Sequence, residues 1–263
     1  MNVRTVNATR YVTPLREGGS MPAIVEADDD GTYVLKFKGA GQGPKVLIAE
    51  LIVGEMARAI GLPVPEIVFI ELDPVLGRNE PDSEIRELIK ASAGLNLAMD
   101  YLPGSITFDP LVKKPLLDAP QLASQIVWLD AFVTNIDRTA RNTNMLVWHK
   151  HLYLIDHGAA LYFHYNWDNF VERSQTPFPP IKDHVLLPLA DDLEAADALL
   201  VPQITRDLLE EILALVPDEW LLLDAPFGTV QEHRAAYLEY LLTRLQGPRN
   251  FVEEAQNART LLV

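Results

Sequence analysis

The sequence contains no cysteine, has fewer basic than acidic residues, and has no long apolar segment. The absence of cysteine excludes disulfide bonds, thiol catalysis and zinc sites built from thiolates. The net charge of −15 argues against binding to nucleic acid or to an anionic membrane, because phosphate contacts need clustered basic side chains. No window approaches the roughly 18 apolar residues of a membrane helix, and the N-terminal stretch does not resemble a signal peptide. We therefore expect a cytoplasmic globular protein.

The length and composition are sufficient for a large hydrophobic core. The chain has 263 residues, of which 48% are hydrophobic, so it could form one large domain or two lobes. The acidic surface is explained most simply by solubility. A role of this acidic surface in binding a partner is the alternative. No repeat or low-complexity linker interrupts the chain.

A β-hairpin is the first element that the sequence predicts. Residues 22–39, PAIVEADDDGTYVLKFKG, indicate two strands joined at Asp30-Gly31, a dipeptide typical of tight turns. Side chains alternate between two faces in the second strand, with Tyr33, Leu35 and Phe37 on one face and Val34, Lys36 and Lys38 on the other. The two sets of side chains are therefore expected to point in opposite directions.

The remainder of the first hundred residues predicts one helix and two more strands. The segment 45–61 is a helix pattern closed by Gly61. Residues 66–72 and 94–104 predict strands, and the charged segment 77–87 between them predicts a loop. The expected result is a small sheet with one helix.

Beyond Gly104 the sequence is mostly helical, apart from a hairpin predicted at 144–155. Three segments predict helices: 121–135, 207–217 and 231–246. The change of character at Pro103-Gly104 indicates a hinge. The sequence thus predicts an α+β protein with a β-rich lobe over 1–103 and a helical lobe over 104–263.

Glu50 is the only charged residue on its face of the helix predicted at 45–60. The other residues on that face are Val46, Leu47, Val53, Gly54, Ala57 and Gly61. A lone carboxylate there is costly to bury without a cation, and Lys36 on the preceding strand is a suitable partner. Two alternatives remain: Glu50 is exposed, or Glu55 takes its place. Because Glu55 lies near Arg58 on the helix, it is more simply paired with that arginine.

A glycine-containing turn, EGGSMP, precedes the first predicted strand. Gly18 and Gly19 would allow a tight backbone turn whose amides could hold phosphate oxygens, with Ser20 beside them. A plain turn is the alternative.

A candidate metal site lies around the second hairpin, in the stretch NIDRTARNTNMLVWHKHLYLIDHG. Asn142 precedes the hairpin and Asp156 follows it, so the hairpin should bring them together, with Asp137 close by. Carboxylate and amide oxygens suit Mg²⁺, a hard ion that takes oxygen ligands. The alternative is that these residues are turn formers and helix caps.

Nearby histidines and aromatic residues have less specific interpretations. His149, His151 and His157 could be imagined as a zinc cluster, but strand alternation would separate them. The aromatic run at 162–167 is interpreted as packing after Asp156, with substrate contact as the alternative.

The order of these features resembles a kinase. A glycine turn, a strand, a hairpin, a strand with Lys and a helix with Glu are followed by an Asp, an Asn five residues later and a further Asp. The stretches YVLKF, AELIVGEMARAIGLPVP, NIDRTARNTNMLVWHKHLYLIDHG and IKDHVLLPL resemble the HipA-like kinases, bacterial serine/threonine kinases related to the HipA toxin. The resemblance extends from about residue 10 to residue 190 and implies a two-lobed kinase fold with ATP between the lobes.

The resemblance also implies roles for individual residues. Lys36 would hold the ATP phosphates and Glu50 would hold Lys36. Asp137 would be the catalytic base or an orienting carboxylate, and Asn142 and Asp156 would bind Mg²⁺. The resemblance implies further contacts with ATP. The loop over the phosphates would be formed by Gly18, Gly19 and Ser20. The hinge against adenine would be formed by Met99, Asp100 and Tyr101, and Val34 would pack on the ring.

This sequence departs from the pattern of eukaryotic kinases at two places. Asp-His-Gly stands at 156–158 where those kinases have Asp-Phe-Gly, so a switching role of the aromatic ring does not follow. Asn135-Ile136 stands in place of His-Arg before the catalytic Asp. The metal-binding Asp and Asn are present.

The sequence therefore predicts an ATP- and Mg²⁺-dependent phosphotransferase that acts on a protein Ser or Thr. Three alternatives stay open: a small-molecule kinase, an adenylyltransferase on the same fold, and a pseudokinase that only binds nucleotide. The acceptor is an unidentified protein or small molecule, and neither nucleic acid nor membrane is expected as a partner.

Overall fold

A computed structural model describes residues 1–15, 21–41, 43–112, 120–222 and 226–262. The fold is α+β: strands dominate the first hundred residues and helices dominate the rest. This confirms the predicted fold class at that level.

The strands of the N-terminal part close into a barrel with the order β1-β2-β3-β5-β4. They are β1 (Thr5–Pro14), β2 (Ala23–Ala27), β3 (Thr32–Lys36), β4 (Ile67–Leu72) and β5 (Gly94–Asp100). Neighbours are antiparallel except β1 and β4, which are parallel. The small sheet predicted from the sequence is thus a closed barrel, whose first strand was not predicted.

The hairpin of β2 and β3 forms as predicted. Asp30 lies in its turn with a φ of 63°, a conformation that Asp tolerates better than most residues. Tyr33, Leu35 and Phe37 are buried in the barrel, which confirms the predicted alternation. The same alternation turns Lys36 away from the barrel interior and toward the first helix.

Helix α1 (Pro44–Ala59) begins with proline in its first turn, where no intrahelical bond to the proline nitrogen is needed. It is closed by Gly61, whose φ of 80° is a left-handed value. Beyond this glycine, the N–H of Leu62 donates to the carbonyl of Ala57 at 2.9 Å. The predicted helix and its end are therefore confirmed.

The prediction of a loop over 77–87 is wrong in its second half, because helix α2 (Ser83–Ala91) begins there. Asp82 caps the helix by accepting the backbone N–H of the residue two positions later at 3.0 Å. Ile85 and Ile89, four residues apart, are buried against the barrel. The prediction of a loop rested on the charged residues of this segment and did not use the helical spacing of Ile85 and Ile89.

In its described residues, the C-terminal part consists mainly of helices, with a small antiparallel sheet of order β6-β7-β8. The strands are β6 (Ile106–Thr107), β7 (Met145–Trp148) and β8 (His151–Leu154). The helices are α3 (Pro120–Phe132), α4 (Phe170–Ser174), α5 (Leu193–Leu200), α6 (Arg206–Leu215), α7 (Asp218–Leu222), α8 (Val230–Gln246) and α9 (Asn250–Thr260). The hairpin and helices α3, α6 and α8 confirm the prediction. Within the described ranges, no helix is long and apolar enough to cross a bilayer.

Helix α1 belongs to the core of the helical part and not to the interior of the barrel. Leu47, Leu51 and Met56 join one continuous core with Trp128 and Trp220, whereas the barrel interior forms a second core. Because α1 also contacts β4 and β5, it lies between the barrel and the helices. Side chains on α1 can therefore meet groups from both parts.

Candidate active site

Strand β3 and helix α1 bring Lys36 and Glu50 together. Lys36 Nζ lies 2.5 Å from Glu50 Oε2, and only 11% and 2% of the two side chains are exposed. A carboxylate at this depth is strongly disfavoured without a cation. The contact explains how an otherwise apolar helix face accommodates Glu50.

Lys36 also contacts Asp156, the residue two positions after β8. Lys36 Nζ lies 2.6 Å from Asp156 Oδ1, and 43% of the Asp156 side chain is exposed. Asp156 has a φ of 56°, a left-handed value that is uncommon outside glycine. One amine therefore joins a buried carboxylate of α1 and an accessible carboxylate of the helical part.

The charges of this cluster stabilise one another. Burial by itself would raise the pKa of Glu50, but the charge of Lys36 and the proximity of His157 outweigh burial and lower it to about 2. Burial would likewise lower the pKa of Lys36, and the charges of Asp156 and Glu50 outweigh it and raise that pKa. Near neutral pH the site therefore holds one cation and ionised Glu50.

Glu55, the alternative partner for Lys36, lies elsewhere. Its Oε1 lies 3.1 Å from Arg58 Nη1, one turn along α1. Burial raises the pKa of Glu55, and the charge of Arg58 opposes this effect only in part. Lys36 contacts Glu50 and not Glu55, so the Arg58 pairing expected for Glu55 is the one observed.

The loop after α3 brings Asp137 and Asn142 together. Asn142 Nδ2 donates to Asp137 Oδ2 at 2.7 Å, and Asn144 Nδ2 approaches the same oxygen at 3.3 Å. The bond from the Ile155 N–H to the Asn144 carbonyl, 3.0 Å long, closes the hairpin and places Asp156 directly beyond it. Asp137 and Asn142 are thus in contact before the hairpin and Asp156 follows it, and carboxylate and amide oxygens are donors that fit Mg²⁺.

A buried network that was not predicted holds this loop. Asp130 on α3 accepts hydrogen bonds from Asn135 Nδ2 at 2.8 Å and from Arg138 Nε at 2.5 Å. His184 Nε2 lies 2.9 Å from Asp130 Oδ2. Asn135 Oδ1 in turn accepts the N–H of Asp137 at 3.1 Å. A chain of side-chain contacts therefore extends from Asp130 to the backbone of Asp137.

Two further observations define that network. Because His184 Nδ1 accepts the N–H of Leu186 at 3.1 Å, the proton of the neutral ring lies on Nε2, from which it is donated to Asp130. Burial lowers the pKa of His184, which favours the neutral ring. Asp130 is the only charged residue in α3, a signal comparable to that of Glu50, which is the only charged residue on its face of α1. The sequence could therefore have indicated it.

The residues predicted to contact adenine lie on β3, which also carries Lys36, and at the end of the neighbouring strand β5. Val34 on β3 pairs with Met99 on β5, and Met99 lines a cavity of about 10 Å³ together with Lys36 and Glu50. The N–H groups of Asp100 and Tyr101 donate to backbone carbonyls within the protein, at 2.8 Å and 3.0 Å. Their carbonyl oxygens are therefore the backbone groups through which these two residues could contact a ligand.

Gly18, Gly19 and Ser20, predicted to form the phosphate loop, lie outside the described residues. Among the residues that are described, no three His, Asp or Glu side chains form a group able to hold a metal ion. The described histidines therefore offer no basis for a zinc site. A Mg²⁺ site formed by Asn142 and Asp156 remains a prediction, because that ion commonly takes its other ligands from water and phosphate.

Comparison with known families identifies the group to which this chain belongs. A family model described as HipA-like kinase matches residues 9–253, nearly the whole sequence. The chain belongs to the HipA-like kinase family. No curated protein matches this HipA-like kinase at a significant level.

Solved structures of other kinases are similar in fold. The proinflammatory kinase CtkA of Helicobacter pylori superposes with a TM-score of 0.54 at 13% identity, over 100% of this chain and 99% of that one. The Golgi casein kinase with Mn/ADP bound gives a TM-score of 0.51 at 13% identity, over 99% of this chain and 76% of that one. At such low identity the similarity shows the fold. Together with family membership it supports a phosphotransferase.

Proposed function

We propose that this HipA-like kinase transfers the γ-phosphoryl group of ATP, in a Mg²⁺-dependent reaction, to a Ser or Thr of a protein. The observation that carries the proposal is the contact of Lys36 with both Glu50 and Asp156. A lysine held by two carboxylates is fixed in place and remains charged, as a phosphate-binding group must be. The Mn/ADP complex of the similar Golgi casein kinase supports nucleotide and metal use.

Each residue of the site has a role in this proposal. Lys36 would bind the phosphates of ATP, and Glu50 would hold Lys36. Asp137 would accept the proton of the acceptor hydroxyl, whose oxygen bonds to the γ-phosphorus as the bond between that phosphorus and the β,γ-bridging oxygen breaks. ADP would be the leaving group. Asn142 donates a hydrogen bond from Nδ2 to Asp137, and its amide oxygen would be the atom that binds the metal.

Asn142 and Asp156 would hold Mg²⁺, and Asp137 accepts a hydrogen bond from Asn142. The ion, when bound, would supply neutralisation of phosphate charge. Because Lys36 contacts Oδ1 of Asp156, the other carboxylate oxygen of Asp156 would be the one that binds Mg²⁺. The donor chemistry of these residues is the reason for proposing Mg²⁺ and not a softer metal.

We further infer a two-lobed arrangement with a boundary near residues 103–104, so that 1–103 and 104–263 enclose the nucleotide. Val34, Met99, Asp100 and Tyr101 would surround adenine, and Gly18, Gly19 and Ser20 would cover the phosphates. The position of Lys36 between the Val34–Met99 pair and Asp156 supports this orientation.

The test is to identify the nucleotide products. Purified protein is incubated with ATP and Mg²⁺, alone and with a mixture of Ser- and Thr-containing peptides, and the products are separated by chromatography. Asp137→Ala is measured alongside, and Asp207→Ala, an exposed carboxylate of α6, is the matched control. ADP from the wild type and the control but not from Asp137→Ala is expected, with phosphate found on Ser or Thr.

Other products would lead to other conclusions. Formation of AMP and pyrophosphate would indicate that the site catalyses adenylyl transfer and not phosphoryl transfer. Phosphate on an added metabolite and never on a peptide would make the protein a small-molecule kinase. Equal turnover by Asp137→Ala and the wild type would contradict the role of Asp137. Nucleotide binding without any turnover would leave the pseudokinase alternative.

A further inference from the structure

His157 is a buried polar residue that the roles given above do not use. Its side chain has no exposed surface, and neither ring nitrogen has a hydrogen-bond partner among the described residues. Buried polar groups are almost always paired, so an unpaired one requires an explanation. At this position, next to Asp156, a phenylalanine would satisfy a purely apolar packing role without that cost.

The nearest unpaired acceptor is an oxygen of Glu50. His157 Nδ1 lies 3.5 Å from Glu50 Oε1, and that oxygen also lacks a hydrogen-bond partner among the described residues. The other oxygen of Glu50 is bound to Lys36. A movement of about 0.5 Å would give the two atoms a normal hydrogen-bond distance. The two unpaired groups thus complement each other.

Two glycines permit this approach. A Cβ on Gly158 would lie 2.5 Å from Val46 Cγ1, so the backbone after His157 runs directly against α1. A Cβ on Gly54, one turn beyond Glu50, would lie 2.3 Å from Ile67 Cδ1 and 3.9 Å from His157 Nδ1. The helix face of Val46, Glu50 and Gly54 therefore receives residues 156–158 in close contact.

We propose that His157 is a positioning residue that donates a hydrogen bond from Nδ1 to Glu50 Oε1. Glu50 is then held by Lys36 from one side and by His157 from the other. Because His157 adjoins Asp156, which itself contacts Lys36, the four residues form a closed ring of contacts. The ring makes the position of α1 depend on the conformation of the segment that carries Asp156.

The inference rests on the proposed function only for its effect on nucleotide binding. The hydrogen bond itself can be measured without any ligand. Two-bond proton–nitrogen correlation spectra of protein with ¹⁵N-labelled histidine report which ring nitrogen carries a proton, and the signals that are lost in His157→Asn assign the residue. A proton on Nδ1, with a shift that changes in Glu50→Gln, is expected. An unprotonated Nδ1 with the proton on Nε2 would overturn the proposal.

Affinity for ADP, with and without Mg²⁺, gives the second measurement. His157→Phe preserves an aromatic ring and removes the donor, so the Mg²⁺-dependent affinity should fall about tenfold. His157→Asn places an amide N–H near the position of Nδ1 and should recover most of that loss. His233→Phe, the same change at another buried histidine, controls for lost packing.

The outcomes separate this inference from the function. Wild-type affinity in His157→Phe, or an equal loss in His157→Asn and His157→Phe, would refute the positioning role. If His233→Phe lost as much Mg²⁺-dependent affinity for ADP as His157→Phe, the loss would be explained by general destabilisation, and the positioning role of His157 would be refuted as well. Absence of ADP binding by the wild type would refute the proposed function, whereas the nitrogen spectra would still decide the hydrogen bond.

Discussion

Lys36 Nζ and Asp156 Oδ1 lie 2.6 Å apart although 120 residues separate them in the sequence. Lys36 ends β3 of the barrel, and Asp156 follows the hairpin of the helical part. The same amine binds Glu50, so the contact joins three elements at one atom. The two parts of the chain therefore meet at a charged group and not only through apolar packing.

Lys36→Met should remove function and reduce stability together. The substitution keeps the apolar stem and leaves Glu50 buried without its cation, so the free energy of unfolding should fall by about 3 to 5 kcal/mol. Turnover should fall at least about 100-fold because the phosphates lose a fixed charge. Urea denaturation and ADP formation measure the two effects. Lys90→Met, at an exposed pair with Glu87, should change neither, and a comparable loss there would contradict the explanation.

Asp156→Ala and Asp137→Ala should differ in how nucleotide binding responds to Mg²⁺. We expect Asp156→Ala to lose the increase in ADP affinity that Mg²⁺ causes, because a proposed metal ligand is gone. Asp137→Ala should retain most of that increase while losing phosphoryl transfer. Calorimetric titration with ADP at fixed Mg²⁺ distinguishes them. The opposite assignment of the two effects would exchange the roles of the two residues.

Gly158→Ala should separate residues 156–158 from α1. The new Cβ would lie 2.5 Å from Val46 Cγ1, and the branched valine has little freedom to move. We expect the Mg²⁺-dependent affinity for ADP to fall about tenfold, as overpacking displaces Asp156. Val46→Ala in the same chain should restore it, and Val46→Ala alone serves as the control. If the double variant bound no better than Gly158→Ala, the close approach would not be the cause.

Stability should fall as the pH is lowered from about 6.5, in part because of His164. This residue is buried with Nδ1 3.0 Å from the Tyr237 hydroxyl, and burial, with smaller effects of Lys45 and His233, lowers its pKa to about 3. The unfolded chain takes up a proton below its ordinary pKa and the folded chain does not. The unfolded state is therefore favoured increasingly as the pH falls through this window.

His164→Asn should flatten this pH dependence. Between pH 6.5 and 5 the wild type should lose about 2 kcal/mol more unfolding free energy than the variant, which has no proton to take up at this position. Urea denaturation at pH 7, 6 and 5 measures the difference. Parallel curves for the two proteins would show that His164 is protonated in the folded state.

Asp130→Ala should destabilise the protein strongly although Asp130 belongs to no predicted catalytic set. Arg138 would remain buried without a carboxylate, and Asn135 and His184 would each lose an acceptor. A loss of about 3 to 5 kcal/mol is expected, with turnover reduced in the remaining folded protein as Asp137 loses its support. Glu210→Ala, at the exposed pair with Arg206, should change stability by no more than about 0.5 kcal/mol. Equal losses of unfolding free energy in Asp130→Ala and Glu210→Ala would contradict the explanation that burial makes the Asp130 contacts strong.

Several elements escaped prediction, for different reasons. Strand β1 is mostly exposed and has two irregularities in its pairing with β2, so its side chains show no alternation that a sequence pattern could reveal. Helix α2 has an apolar face formed by Ile85, Ile89 and the partly buried Leu88, but the charged residues between them led to the prediction of a loop. Periodicity detects elements that bury a regular face, which β1 lacks and α2 has, so the helix could have been predicted from its sequence.

The sequence by itself determined the local features: the turn at Asp30-Gly31, the faces of β3, the lone charge of Glu50 on its face of α1 and the hairpin that precedes Asp156. These follow from the period of a strand or helix and from the residues that turns require. Only the tertiary structure decided that the sheet closes into a barrel, that Lys36 contacts Asp156, and that Asp130 contacts Asn135, Arg138 and His184. Several of those contacts join residues that are far apart in the sequence, and their strength depends on burial. Neither the contacts nor the burial can be inferred from a local sequence pattern.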